Sequence, residues 1–210
     1  MKDYKTVKET AVAEYSEKRS RFIAKVYPCS SEQQAAELLA AARSEYWDAK
    51  HNVYAYVLKD GTSRFSDDSE PHGTAGKPVL DVINGNGLED VLIIVTRYFG
   101  GVLLGTGGLV RAYSTSARDA VEASEKVEMC VCSHMAVECE YSDYSVLLTL
   151  IEASSGSIKN TEYTDKITVE FCLKNGDVEA FGSNLTETFS SRLEAKKIKE
   201  DYFSFKIEEF

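Results

Sequence analysis

The stretch that decides the fold of the first half of the chain is Thr96–Tyr113, TRYFGGVLLGTGGLVRAY. It follows the run VLIIV (91–95), which is apolar at every position and therefore predicts a central strand covered on both faces. Beyond two glycine pairs seven residues apart, apolar and small residues recur at helical spacing from Leu109 to Val121. The segment therefore predicts a buried strand, a glycine-rich turn and a helix in succession.

The residues before this stretch predict further strands and helices, which together with it indicate a mixed α+β domain. Strands are predicted over three ranges, Thr6–Tyr15, Arg21–Tyr27 and Asn52–Lys59. Ser31–Tyr46 predicts an amphipathic helix whose start has capping-box spacing. Residues 66–78 hold two prolines, two glycines and three carboxylates, which predicts an irregular loop, and Val79–Ile83 predicts a short helix after it.

The element pattern changes after about Ala123. The predicted order is strand 128–140, helix 143–154, strand 157–163, strand 167–173, helix 177–190 and strand 197–207. A β-α-β-β-α-β order over about 80 residues is the ferredoxin-like split motif. We therefore predict an α+β protein of two domains, the first over 1–126 and the second over 127–210.

Composition and charge narrow the class of protein. Hydrophobic residues make up 43% of the chain and charged residues 28%, and 24 basic against 34 acidic side chains give a formal net charge of −10. This charge excludes a protein whose whole surface binds nucleic acid, because phosphate contacts need clustered cations. Residues 1–130 carry net −3 and residues 131–210 net −7, so a local basic site is expected in the first part.

The sequence also indicates the compartment. No apolar run has the length of a membrane span, and the N-terminal MKDYKTVKET lacks the apolar core of a secretory signal. The odd number of five cysteines is typical of reduced thiols, and the CVC spacing at 130–132 does not suit zinc. We expect a cytoplasmic protein with no membrane partner, no metal and no cofactor.

The glycine-rich turn is a candidate anion site. Glycines after Thr106, a competent N-cap, leave helix-start amides open to an anion, and Arg111 lies in the early turns, where the helix dipole disfavours a cation. We predict an anion- or nucleic-acid-binding site formed by Lys77, Arg97, Gly100, Gly101, Thr106, Gly107, Gly108 and Arg111. The alternative is that the glycines only permit tight packing and that Arg111 pairs with a carboxylate.

The loop before it concentrates acidic residues. Its candidate residues are Asp67, Asp68, Glu70 and His72. Three close carboxylates suit either Mg²⁺ or Ca²⁺ or arginines such as Arg97 and Arg111, and the absence of a calcium-loop pattern favours arginine pairing. His72 is either a general acid or base or, as we expect, a solvated loop histidine, since no nucleophile partner accompanies it. No catalytic residue is assigned.

Four runs of sequence resemble the IMPACT/YigZ family: KRSRFIA (18–24), HNVYAY (51–56), DDSEPHGTAGKPVL (67–80) and VTRYFGGVLLGTGGLVRAYS (95–114). The resemblance covers the first domain, and the remainder is similar to the extra C-terminal domain of bacterial members. It implies an N-terminal α/β sandwich similar to a ribosomal-protein domain and to domain IV of elongation factor G. Two positions depart from the family pattern, Ser69 where glycine is common and His72 where serine or alanine is common.

The resemblance also implies a link to translation, because eukaryotic relatives are translational regulators. Three function classes stay open. The first is a non-enzymatic RNA- or ribosome-associated binding protein, possible partners being RNA, the ribosome or a protein of the translation machinery. The second is an enzyme acting on a phosphate-containing small molecule, kinase- or hydrolase-like, and the third is a protein-interaction adaptor. The resemblance and the lack of a complete catalytic set favour the first.

Overall fold

The computed structural model describes residues 2–206 and is a mixed α/β protein with two sheets and five α-helices in that range. The chain divides into two compact units, one formed mainly by Tyr4–Glu128 and the other mainly by Met129–Ser204. Each unit has a hydrophobic core of its own.

The N-terminal unit contains six strands and three helices. In chain order these are β1 (Tyr4–Val7), β2 (Ala11–Glu17), β3 (Ser20–Pro28), α1 (Glu32–Glu45), β4 (His51–Val57), β5 (Ser63–Ser66), α2 (Gly76–Gly85), β6 (Val91–Tyr98) and α3 (Thr106–Glu122). The main sheet has the strand order β2-β3-β6-β4-β5, and each neighbouring pair is antiparallel.

Strand β6 lies at the centre of this sheet, and both of its faces are covered. Val91, Ile93 and Val95 pack into the cluster that includes α2 and α3. Leu92 and Ile94 point to the opposite face and pack into the cluster that includes α1. The prediction of a doubly covered central strand is confirmed, and this placement brings the carboxyl end of β6 to the start of the glycine-rich segment.

Several element boundaries differ from the sequence prediction for local reasons. The predicted strand Thr6–Tyr15 is two strands, β1 and β2, and the predicted loop from residue 66 is preceded by the short strand β5. Helix α1 begins as predicted, with Ser31 Oγ accepting from the Gln34 amide at 3.1 Å. Helix α3 has Gly105 as its N-cap, so the assignment of Thr106 to that position is wrong by one residue. Gly105 adopts φ +73°, which glycine tolerates without steric cost, and its carbonyl accepts from the Leu109 amide at 2.9 Å.

The C-terminal unit contains four strands and two α-helices in the predicted β-α-β-β-α-β order. They are β7 (Lys126–Cys139), α4 (Tyr144–Ala153), β8 (Ser157–Tyr163), β9 (Ile167–Lys174), α5 (Val178–Thr188) and β10 (Ala195–Lys206), with a 3₁₀ turn at Asn175–Asp177. Within this unit β7 pairs with both β9 and β10, and β9 pairs with β8. Residue 207, the predicted end of the last strand, and the remainder of the second domain to 210 lie outside the described residues.

The core of this unit lies between its sheet and its two α-helices. Leu147 and Ile151 of α4 and Phe181 of α5 pack with Val169 and Phe171 of β9. All five cysteines of the chain are buried, and their thiols are not joined in disulfides. Across residues 2–206, none of the helices has the length and apolar character needed to cross a bilayer.

Candidate functional site

A cavity of about 420 Å³ lies in the N-terminal unit, where β6 ends and α3 begins. Its polar lining consists of Lys50, His51, Glu70, Arg97 and Thr106. Its apolar lining consists of Pro71, Phe99, Leu103, Leu104 and Leu109, and Gly105 completes the wall. Polar groups concentrated in a concave, mainly apolar site are the usual composition of a ligand pocket.

A buried carboxylate organises the polar side of this cavity. Glu70, 8% exposed, accepts a hydrogen bond from Arg97 Nη1 at 2.5 Å and another from the Tyr113 hydroxyl at 2.7 Å, both at Oε1. Burial, reinforced by the Glu70 charge, raises the pKa of Tyr113 far above its usual range, so the phenol stays a donor. We call the residues Glu70, Arg97, Tyr113 and His51 the Glu70 cluster.

Arg97 is held in this cluster by aromatic rings as well as by its ion pair. Its guanidinium lies 5.5 Å from the centroid of the Phe22 ring and 5.6 Å from that of Phe99. The Nε donor is buried and has no hydrogen-bond partner among the described residues. An arginine that is 5% exposed and surrounded in this way contributes to the fold and is not available to a large ligand.

His51 presents a free acceptor to the cavity. The ring is 7% exposed, and Nδ1 lies 2.7 Å from the backbone carbonyl oxygen of Asp68. Because a carbonyl only accepts, this contact places a proton on Nδ1 and leaves Nε2 as an acceptor in the neutral ring. Nε2 is 3.7 Å from Glu70 Oε1, which is beyond hydrogen-bond distance.

The loop that contains Asp67 and Asp68 holds the residues of the Glu70 cluster in position through hydrogen bonds. The Asp67 carboxylate accepts from the amides of Gly73, Ala75 and Gly76 at 2.8–3.1 Å and so stabilises the start of α2. The Asp68 carboxylate accepts from the Asn52 amide at 2.6 Å and from Arg43 at 3.3 Å. These bonds fix the loop against β4, the strand that begins with His51.

The glycines of the 99–108 segment differ in what they do. A Cβ at Gly100 would lie 2.1 Å from the backbone carbon of Arg19, so the chain approaches the β2–β3 turn there too closely for any side chain. Gly101 and Gly105 have φ of +82° and +73°. A Cβ at Gly107 would meet no heavy atom within 4 Å, and both Thr106 and Gly107 are exposed residues.

The structure brings together only part of the residues that the sequence predicted for the site. Arg97, Glu70 and Thr106 line the cavity, and Gly107 and Gly108 follow in the first turn of α3. Two predicted cations do not line it. Lys77 pairs with Asp81 on the surface of α2, and Arg111 is exposed on α3 and forms no ion pair with the described residues.

The remaining predicted residues lie on the loop. The His72 side chain is almost fully exposed and lies 3.7 Å from Asp67, while Asp67 pairs with backbone amides and not with an arginine. Within residues 2–206, no group of three or more His, Cys, Asp or Glu side chains is arranged to hold a metal ion. The carboxylates of Asp67, Asp68 and Glu70 accept hydrogen bonds within the fold.

The residues that the sequence analysis did not assign to the site include Lys50, His51, Phe99 and Tyr113. His51 is the first residue of the run HNVYAY, and Phe99 and Tyr113 lie within the run at 95–114. The sequence runs that resemble the family therefore already contained these three residues. They were missed because an aromatic or histidine at a strand end or in a helix is ordinarily a packing residue. The hydrogen bond from Tyr113 to Glu70 spans 43 residues of sequence, which no local pattern reveals.

Comparison with known proteins gives consistent results for both parts of the chain. Residues 18–121 match the family model described as the Impact N-terminal domain, and residues 137–192 match a domain of unknown function, DUF1949. The chain is 33% identical over 196 residues to the IMPACT family member YvyE of Bacillus subtilis, covering 92% of this chain and 90% of that protein.

Two further matches extend over most of the chain. An IMPACT family member of Haemophilus influenzae is 35% identical over 200 residues, covering 92% of this chain and 96% of that protein. A solved structure described as that of a hypothetical protein superposes with a TM-score of 0.61 at 29% identity, covering 96% of this chain and all of that one. The similarity therefore includes both units.

Proposed function

Because the chain belongs to the IMPACT family, we propose that it is a translation-related regulatory protein that binds RNA or the ribosome without catalysing a reaction. The observation that carries the proposal is a pair of exposed cations beside the glycine-rich segment. Lys50 lies over the Phe99 ring at 5.8 Å, and Arg111 follows Gly108 by three residues. Among the described residues, neither forms an ion pair with a carboxylate.

The physical argument rests on charge and on the exposed backbone. In a chain of net charge −10, cations without a carboxylate partner are suited to an anionic partner. The first amides of α3 have no side-chain cap, and helix-start amides bind phosphate well. We propose that these amides, Lys50 and Arg111 contact phosphate groups, with Gly107 leaving the approach open.

Three finer statements belong to the same proposal. The N-terminal unit is a sandwich similar to ribosomal-protein and elongation-factor domains, and the C-terminal unit is a ferredoxin-like domain that begins at residue 127. Support for the second statement comes from the element order and from the pairing of β7 with both β9 and β10. A cytoplasmic location is the third statement, since translation takes place there.

The test is co-sedimentation of the full-length protein with ribosomes and with ribosomal RNA across a series of salt concentrations. Arg111→Ala and Lys50→Ala should each weaken binding and reduce the salt slope by about one if each side chain neutralises one phosphate. Arg118→Ala is the matched control, because Arg118 is exposed on the same helix seven residues later. The proposal is wrong if wild type, Arg111→Ala and Lys50→Ala bind ribosomes and ribosomal RNA with the same affinity and the same salt dependence.

A second candidate is an enzyme acting on a phosphate-containing small molecule. The specific observation in its favour is the cavity of about 420 Å³, in which the free Nε2 of His51 stands beside the buried Glu70 carboxylate. A histidine acceptor of this kind is suited to a general base. Hydrolysis or phosphoryl transfer by the purified protein, lost in His51→Gln and kept in His72→Gln, would favour this candidate over the first.

A further inference from the structure

The cavity beside the Glu70 cluster has the size of a site for a compact ligand and is partly open to solvent. Its volume of about 420 Å³ lies within the range of about 300–1,000 Å³ that small-molecule pockets occupy. A folded RNA or a protein domain would contact its mouth only. The question is therefore which small molecule its lining would recognise.

The start of α3 and Lys50 supply the cavity lining with hydrogen-bond donors and positive charge. Gly105 and Thr106 line the cavity at the start of α3, a helix of 17 residues whose first-turn amides receive no side-chain cap. Lys50 also lines it and forms no ion pair with any described carboxylate. The charge of Glu70 is already offset by Arg97, so this part of the lining favours an anionic group such as a phosphate.

Another polar group of the lining is an acceptor. His51 is more than nine-tenths buried, lines the cavity and has its Nδ1 bound to the Asp68 carbonyl, and its Nε2 has no hydrogen-bond partner among the described residues. Glu70 Oε1, a second acceptor, lies 3.7 Å from Nε2. A hydroxyl group that enters the cavity and donates to Nε2 would satisfy this arrangement.

The remaining wall is apolar and partly open to solvent. Leu103 is 82% exposed and Phe99 43% exposed, although both line the cavity. Exposed apolar side chains grouped at a cavity are typical of a ligand site, and an aromatic ring of the ligand can stack on Phe99. Leu104 and Leu109 provide the buried part of this wall.

We infer that the cavity binds a phosphorylated nucleoside, with its phosphate on the amides of Thr106 and Gly107 and on Lys50. A ribose hydroxyl donates to His51 Nε2, and the base lies against Phe99 and Leu103. The ligand is either a free nucleoside monophosphate or the 5′-terminal nucleotide of an RNA, since both present the same chemistry. The inference rests on the phosphate contacts of the proposed function and names the class of ligand that the same site binds.

The experiment is isothermal titration calorimetry of the full-length protein with adenosine 5′-monophosphate. We expect one site per chain. Affinity should fall about tenfold or more for adenosine, which lacks the phosphate, and about fivefold or more for the 2′,3′-dideoxy monophosphate, which lacks the hydroxyls. The second arm compares an RNA oligonucleotide with and without a 5′-phosphate.

Thr106→Glu is the decisive variant. It places a carboxylate where the phosphate would bind, yet an acidic side chain is favourable in the first turn of a helix, so folding should be preserved. We expect affinity to fall about tenfold or more in Thr106→Glu and clearly less in Thr106→Gln, which adds no charge at the phosphate position. Unfolding curves of the two variants verify that the fold is intact.

The outcomes separate the two ligand sources and the two proposals. Binding of the monophosphate that Thr106→Glu abolishes identifies a free nucleotide as a ligand. If the protein does not bind the monophosphate but prefers the 5′-phosphorylated oligonucleotide, and Thr106→Glu abolishes that preference, the ligand is the 5′-terminal nucleotide of an RNA. If neither probe binds, or if both Thr106 variants bind equally, the inference is wrong. Ribosome co-sedimentation that persists in that case leaves the proposed function standing.

Discussion

The Glu70 cluster and the glycine-rich segment at 99–108 lie side by side in the N-terminal unit and differ in what their polar groups contact. In the cluster, the Glu70 carboxylate and the Tyr113 hydroxyl both have partners inside the fold. In the segment, the first amides of α3 lack a side-chain cap and Leu103 is exposed. Glu70, Arg97 and Tyr113 therefore have a structural role that can be measured as stability, whereas the segment is available to a ligand.

This difference changes the interpretation of the arginines. Sequence pattern treats Arg97 and Arg111 alike, as two cations at either end of a glycine-rich turn. Arg97 is buried against Glu70, and Arg111 is exposed on α3. Substitution of Arg97 should therefore lower the stability of the fold, whereas substitution of Arg111 should weaken ligand binding. Four predictions test this comparison, from the largest expected effect to the smallest.

The largest effect is expected for Arg97→Met. This change leaves the Glu70 carboxylate buried without its cation, which costs about 3–5 kcal/mol of unfolding free energy. Chemical denaturation of the variant measures the loss. Adding Glu70→Gln should recover part of it, because a buried amide is less costly than an unpaired charge. Arg111→Ala should stay within about 0.5 kcal/mol of wild type, and an equal loss in both single variants would contradict the comparison.

The two ends of the glycine-rich segment should respond oppositely to alanine. Gly100→Ala places a Cβ against the Arg19 backbone and should cost roughly 1–3 kcal/mol or more of unfolding free energy. Gly107→Ala meets open space within a helix and should be neutral or stabilising by up to about 1 kcal/mol. Thermal unfolding of the pair is the measurement. Similar midpoints for the two variants would show that the close approach at Gly100 is not required.

Tyr113→Phe removes a donor from Glu70 and should cost about 1–3 kcal/mol at pH 7. The raised pKa means that folded Tyr113 holds its proton more tightly than the unfolded chain, whose tyrosines ionise near pH 10.0. The contribution of the phenol is therefore fully present below pH 10 and decreases as pH rises above it. Unfolding free energies of wild type and variant should converge above pH 10. A difference that stays constant with pH would contradict the role assigned to the Tyr113 proton.

The smallest effect is expected at Ser69, an exposed residue with φ +68° in the loop that leads to Glu70. Left-handed backbone is unfavourable for serine and not for glycine, so Ser69→Gly should stabilise the protein by about 0.5–1 kcal/mol. Ser63→Gly in β5 is the control and should destabilise it by a similar amount, because Ser63 has no positive φ to relieve. Denaturant titration resolves the sign, and a loss of stability in Ser69→Gly would contradict the prediction.

Much of the fold was predictable because its signals are local. The run at 91–95 is apolar at every position, and a strand of this kind needs cover on both faces wherever it lies. The capping-box spacing after Pro28 predicted the start of α1, since the Ser31 side chain reaches an amide only three residues away. The β-α-β-β-α-β order of the second unit was likewise visible from alternation and helical spacing.

The sequence alone therefore determined the order and type of most elements, the glycine-rich turn and the family to which the chain is similar. Only the tertiary structure decided which charged residues are available to a ligand. Arg97 contacts Glu70, 27 residues away in sequence, and Gly100 contacts the turn at Arg19, 81 residues away. Neither contact produces a periodic pattern in the sequence. Burial, unlike helix or strand periodicity, depends on how distant elements pack, so the roles of these residues emerge only when the sheet and helices are assembled.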